Sequence, residues 1–122
     1  MLEVYTGDGK GKTTAALGLA LRATGHGWNV IVIQFMKGNP DYGEVTAAKG
    51  VKGLTVAQTG LPTFVERGNP SAMDLSEAQR GLTLAREALA SRKYRMVILD
   101  EINVAVDYCL VRLDDALALI DA

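Results

Sequence analysis

Residues 6–14 read Thr-Gly-Asp-Gly-Lys-Gly-Lys-Thr-Thr, with glycine at positions 7, 9 and 11. Glycines this dense let the backbone curl until successive N–H groups point into one concavity. The segment lies between Leu2–Thr6, a short apolar run that reads as a strand, and Thr13–Arg22, an alanine- and leucine-rich run that reads as a helix. Strand, glycine-rich turn ending in Gly-Lys-Thr, and helix, in that order, form the context of a phosphate loop. In such a loop the residues Gly7, Asp8, Gly9, Lys10, Gly11, Lys12, Thr13 and Thr14 surround the phosphates of a nucleotide, and the helix adds its positive dipole end. Lys12 is placed to reach the terminal phosphates as a point charge. The Thr13 hydroxyl is placed to ligate Mg²⁺, and Thr14 offers a further hydroxyl. The spacing departs from the usual one, since Thr6 stands where glycine is expected and Gly7 must serve the turn. The competing structural reading is a glycine-rich turn that only caps a helix.

The rest of the chain alternates in a way that fits this start. Asn29–Phe35 is continuous and β-branched, the pattern of a strand buried on both faces. Residues 36–53 carry enough glycine and proline to read as loop, with one helical turn at VTAAK, and Leu54–Ala57 reads as a third strand. Residues 60–71 are irregular. Leu75, Ala78, Leu82, Ala85 and Leu89 then recur at steps of 3, 4, 3 and 4, one face of a helix that Asp74 or Ser76 caps. Arg95–Asp100 is a fourth apolar strand, and Leu113–Ala122 reads as a helix with Asp114 and Asp115 in its first turn. Strands alternating with helices predict an α/β fold with a mostly parallel sheet, and 122 residues allow one domain, 1–122.

Asp100 and Glu101 close the strand RMVILD. In open α/β sheets ligands bind beyond the C-terminal ends of the strands, so one of these carboxylates is expected to hold Mg²⁺ opposite the loop. Capping of the next helix is the alternative.

Composition excludes several classes. A formal charge of −1 supplies no field for nucleic acid or an anionic membrane. No apolar stretch approaches the roughly 20 residues of a membrane helix. One cysteine, Cys109, forbids an internal disulfide and fits a reducing cytoplasm, and the N-terminus lacks the basic region of a signal peptide. Cys109 reads as packing, His26 as a surface turn residue, and Arg86, Arg92, Lys93 and Arg95 as a solvated helix end.

With VYTGDGKGKTTAALGLALRATGHG (4–27), VIQFMKG (32–38), GLPTFVERGNP (60–70) and VILDEINVAV (97–106), the chain resembles the phosphate-loop ATP:cob(I)alamin adenosyltransferases over essentially its whole length. The resemblance implies a three-layer P-loop NTPase fold of the RecA-like kind. It also implies transfer of the 5′-deoxyadenosyl group of ATP to the cobalt of cob(I)alamin, with Mg²⁺ present and triphosphate leaving. Lys12 and Glu101 are then the catalytic residues, and Thr13, Asp100 and Glu101 the metal ligands. Gln34 and Lys37, at the C-terminal end of the second strand, are expected to face nucleotide or corrin, with a solvated loop lysine the alternative for Lys37. Phe64 sits near the corrin, with Phe35, Met36 and Tyr42 adding apolar surface, although each aromatic also fits ordinary packing. Expected partners are ATP and the reduced corrinoid, a corrinoid reductase and a second copy in a homodimer. A different phosphate-loop ATPase or kinase, and an ATP-binding module without catalysis, are the alternatives.

The family's pattern continues beyond residue 122 with a further strand, which would lie between Leu2–Thr6 and Met96–Leu99. Three arrangements accommodate this: a fragment of a longer product, four strands pairing directly, or another chain filling the gap.

Overall fold

A computed structural model describes residues 1–121. Its elements in chain order are α1 (Lys12–Gly25), β1 (Val30–Phe35), α2 (Gly43–Ala48), β2 (Leu54–Thr59), α3 (Ala72–Ser91), β3 (Met96–Asp100), α4 (Ile102–Asp107) and α5 (Leu113–Ile120). The strands form one all-parallel sheet in the order β2-β1-β3. Every residue of β1 is buried, as its unbroken apolar run requires of the central strand.

Helices cover both faces, giving three layers. On one side Ala20 and Ala23 of α1 pack on Val30 and Val32, with Leu17, Leu54, Val56 and Ile98 around them. On the other, α3, α4 and α5 close over Ile31, Ile33 and Phe35. Burying each large side chain of this kind contributes about 1.5–3 kcal/mol. Phe35 is therefore a core residue (0% exposed): of the two readings the sequence left open for it, packing holds, and it offers no corrin surface. Gly81 of α3 sits directly over it, where an added β-carbon would come 2.6 Å from both the Phe35 ring and the Thr59 hydroxyl. The small residue sets the distance between helix and sheet.

Three expectations are corrected. Leu2–Thr6 is not a strand: it pairs with nothing among the described residues, and Leu2 and Val4 are each 60% exposed. Its apolar alternation has strand character, but a strand also needs a partner for its N–H and C=O groups, and the segment is paired neither with β3, whose outer edge stays open, nor with any other strand. The cap of α3 is Ser71. Its hydroxyl accepts the Asp74 N–H at 3.0 Å, and the Asp74 carboxylate accepts the Ser71 N–H at 2.8 Å. This reciprocal pair satisfies two otherwise orphaned donors and starts the helix earlier than Asp74. Its buried stripe runs through Ala78, Gly81, Leu82, Ala85 and Ala88, which leaves Leu75 exposed. Cys109 is exposed, at a positive φ of 60° just after α4. The last helix reaches Ile120, and Ala122 lies outside the described residues.

Candidate active site at the C-terminal ends of the strands

Three polar side chains are buried among the described residues: Gln34 (0% exposed), Thr59 (1%) and Asp100 (8%). Each lies at the end of a strand, or one residue before it, and all three ends face the same way. The parallel register brings Gln34 beside Gln58 on one flank and Asp100 on the other. Burying polar groups is costly unless they are paired, so their concentration at one edge of an otherwise apolar sheet marks a place built for polar chemistry.

The pairing is complete. Thr13 Oγ1, in the first turn of α1, donates to Asp100 Oδ1 at 2.8 Å. Lys37 Nζ forms an ion pair with Asp100 Oδ2 at 2.6 Å and lies 3.2 Å from Thr13 Oγ1. Gln34 Nε2 approaches Asp100 Oδ2 at 3.4 Å, while Gln58 Nε2 donates to Gln34 Oε1 at 3.2 Å and to the Asn39 carbonyl at 3.0 Å. No buried side-chain nitrogen or oxygen among the described residues lacks a partner.

Above this cluster runs the glycine-rich loop. Gly7 (φ 119°) and Gly11 (φ 97°) adopt the left-handed backbone that glycine alone takes without strain, and Gly11 is the N-cap of α1. Lys12 Nζ folds back onto the loop, donating to the carbonyls of Gly7 at 2.7 Å and Gly9 at 2.6 Å. Asp8, Lys10 and Thr14 are exposed around it.

Two strands turn sharply as they reach the site. Met36, immediately after β1, has φ 63°, and Glu101, immediately after β3, has φ 66°. A left-handed non-glycine residue costs on the order of 1 kcal/mol or more and tends to occur where geometry matters more than stability. The loops beyond β1 and β2 cross at Gly38 and Gly60. A β-carbon on Gly60 would lie 2.5 Å from the Lys37 nitrogen, so only glycine lets the two backbones touch there.

Of the residues singled out from sequence, Thr13, Gln34, Lys37 and Asp100 thus meet in one cluster, with Lys12, the first residue of α1, folded back onto the loop. Glu101 takes no part in that hydrogen-bonded cluster and serves as the N-cap position of α4. Phe64 stands apart on the 60–71 loop, its side chain fully exposed (104%), and Tyr42 is exposed as well. Sequence reading missed Gln58, Gly38 and Gly60. The signal for Gln58 was a polar residue at the end of an apolar strand, which extends two residues further than expected, to Thr59.

As a donor set for a divalent cation, Thr13 and Asp100 supply hard oxygens, the ligand type Mg²⁺ prefers. The lysine ammonium lodged against both already shows that the position accepts a cation. Among the described residues no three His, Cys, Asp or Glu side chains converge, so a metal here would complete its shell with nucleotide oxygens and water.

A glycine-rich loop opening a helix, poised over a Thr–Asp pair at the carboxyl end of a parallel sheet, defines the phosphate-loop α/β class. The profile of the family described as ATP:corrinoid adenosyltransferase BtuR/CobO/CobP matches residues 1–122, and the chain belongs to that family. It is 38% identical over 122 residues to the corrinoid adenosyltransferase CobA of Salmonella typhimurium, an alignment covering 98% of this chain and 60% of that one. It is 33% identical over 122 residues to the corrinoid adenosyltransferase of Pseudomonas aeruginosa, covering 100% and 60%. A Nostoc protein, all2391, is 38% identical over 117 residues, covering 87% of this chain and 31% of that protein. The chain thus spans about 60% of the length of the curated adenosyltransferases it matches. No helix among the described residues is long and apolar enough to cross a membrane.

Proposed function

We propose that this chain carries the nucleotide half-site of an enzyme that transfers the 5′-deoxyadenosyl group of ATP to the cobalt of a reduced corrinoid, releasing triphosphate. The observation that carries the reading is the Thr13–Asp100–Lys37 cluster lying beneath a phosphate loop in a chain of this family. Lys12 leaves the Gly7 and Gly9 carbonyls and meets the outer phosphates, where it balances the charge that develops as the carbon–oxygen bond breaks. Loop N–H groups and the N-terminus of α1 hold the same oxygens in place. Thr13 and Asp100 hold Mg²⁺, which when bound supplies further charge neutralisation at the triphosphate. Glu101, which follows Asp100 and makes no hydrogen bond to the cluster in the nucleotide-free chain, is in this reading a further metal ligand or an organiser of the loaded site. The cobalt is itself the nucleophile, so no activated serine or cysteine is required of the protein.

Phe64 is the corrin contact in this reading. An aromatic ring that projects fully into solvent packs against nothing in its own chain, and an apolar macrocycle gives it a partner. Tyr42, exposed on the loop after β1, is the other aromatic assigned to the corrin in this reading, whereas Met36 packs largely against the core. The protein is cytoplasmic and receives its corrinoid from a reductase. It acts as a homodimer, a reading supported by Leu113, Leu117 and Ile120, which line one exposed face of α5.

The test is an anaerobic reaction with chemically reduced cob(I)alamin, Mg²⁺ and ATP. Formation of adenosylcobalamin with an equal amount of triphosphate is the expected result. Release of orthophosphate from ATP without corrinoid would overturn the reading in favour of an ATPase.

A further inference from the structure

The ammonium of Lys37 sits where two oxygens of the cation site converge. It is 2.6 Å from Asp100 Oδ2 and 3.2 Å from Thr13 Oγ1, and Thr13 is in turn bonded to the other carboxylate oxygen. The carboxylate side chain is only 7% exposed and that of Lys37 19%, so this is a largely desolvated pair. A buried carboxylate left without a counter-charge is strongly unfavourable, and a divalent cation at Asp100 would in turn repel an ammonium held this close. The two cations therefore compete for one place.

Lys37 is also held there by its backbone. Met36 before it takes a left-handed conformation, Gly38 after it is wedged against Gly60 and Leu61, and the Asn39 carbonyl is tied down by Gln58. The side chain can swing, but the residue stays beside the site.

We propose that Lys37 is a built-in counterion that occupies the metal position in the nucleotide-free protein and is exchanged for the divalent cation only when a nucleotide arrives with it. Metal alone must expel the ammonium and gains just Thr13 and Asp100 as protein ligands. A metal–nucleotide complex brings phosphate oxygens that complete the metal shell and receive the displaced ammonium, so the exchange becomes favourable as a unit. The device makes the site bind metal and triphosphate together and keeps it from filling with metal alone. It rests on the assignment of Thr13 and Asp100 as metal ligands proposed above.

The test measures Mn²⁺ binding to the nucleotide-free full chain by electron paramagnetic resonance, with thermal unfolding in Mg²⁺ as a second readout. Lys37→Met is expected to bind Mn²⁺ at least about tenfold more tightly than the unsubstituted chain. Its melting temperature, lowered by the unpaired carboxylate, should recover in Mg²⁺. Lys37→Arg, which keeps the charge, should bind as weakly as the unsubstituted chain, and Asp100→Asn should bind nothing. Unchanged affinity in Lys37→Met, or equal tightening in Lys37→Arg, would overturn the proposal. In the unsubstituted chain, the side-chain nitrogen resonance of Lys37 should move on addition of Mg²⁺ with ATP and stay in place with Mg²⁺ alone. A resonance indifferent to both also overturns it. None of these readouts uses a corrinoid. Tightened metal binding without adenosyl transfer would fail the transferase reading alone, whereas transfer with unchanged metal binding would fail the counterion alone.

Discussion

Gly60 lies so close to Lys37 that a β-carbon on the glycine would fall 2.5 Å from the lysine's backbone nitrogen. The loop after β2 thereby fixes the loop after β1, and with it the cation beside Asp100. Gly60→Ala should force these backbones apart, destabilising the protein by about 1–3 kcal/mol. Nucleotide affinity should weaken with it, because Lys37 no longer starts from its place beside Asp100. Calorimetric titration of ATP with Mg²⁺ beside a thermal melt checks both, and an unaltered melt and affinity would show that the crossing tolerates a side chain.

Lys12 is bonded to the Gly7 and Gly9 carbonyls, which in the proposed reading it exchanges for the outer phosphates of a bound nucleotide. If the proposed transfer is right, Lys12→Ala removes the cation assigned to the leaving triphosphate, and turnover should fall by on the order of 10²–10³-fold or more. Triphosphate release under anaerobic conditions is the measurement. Near-normal turnover would sink the assignment of the phosphate loop.

Phe64 touches little of its own chain, being fully exposed. Phe64→Ala should therefore leave the unfolding free energy within about 0.5 kcal/mol of the parent, as expected of a surface change. Corrinoid KM should rise while ATP affinity stays constant. Equal losses for both substrates would mean that the ring organises the loop and does not contact the corrin.

Glu77 and Arg80 link the first half of α3 to the end of β2. Arg80 Nε donates to Glu77 Oε2 at 2.8 Å, and Arg80 Nη2 donates to the Gln58 carbonyl at 2.7 Å. The hydrogen bond from Arg80 holds the Glu77 carboxyl below its ordinary pKa, against a smaller opposing effect of burial. A folded pKa lower than the unfolded one stabilises the protein above the unfolded value, near pH 4.3–4.5, and the benefit disappears as pH falls through the folded value. Because Arg80 is half exposed, the contribution is at most about 1 kcal/mol. Glu77→Gln should thus be slightly less stable than the parent at pH 7 and indistinguishable from it near pH 3 in paired thermal melts.

Local sequence determined a good deal. The glycines at 7, 9 and 11 and the run Lys12-Thr13 define a loop followed by a helix because their backbone preferences are set within a few residues. The unbroken apolar run of β1 defines a central buried strand for the same local reason. Lys12, Thr13, Gln34, Lys37 and Asp100 were each legible as polar residues at the ends of such elements. Tertiary structure decided what no local pattern encodes. Whether Leu2–Thr6 pairs depends on a neighbouring strand, not on its own alternation, and here it pairs with nothing. Phe35 and Phe64 are equally aromatic, yet one lies beneath Gly81 in the core and the other in solvent, because only packing assigns a side chain its surroundings. The ion pair between Lys37 and Asp100 joins residues far apart in the chain, and the parallel register of β1 with β3 is what brings them together.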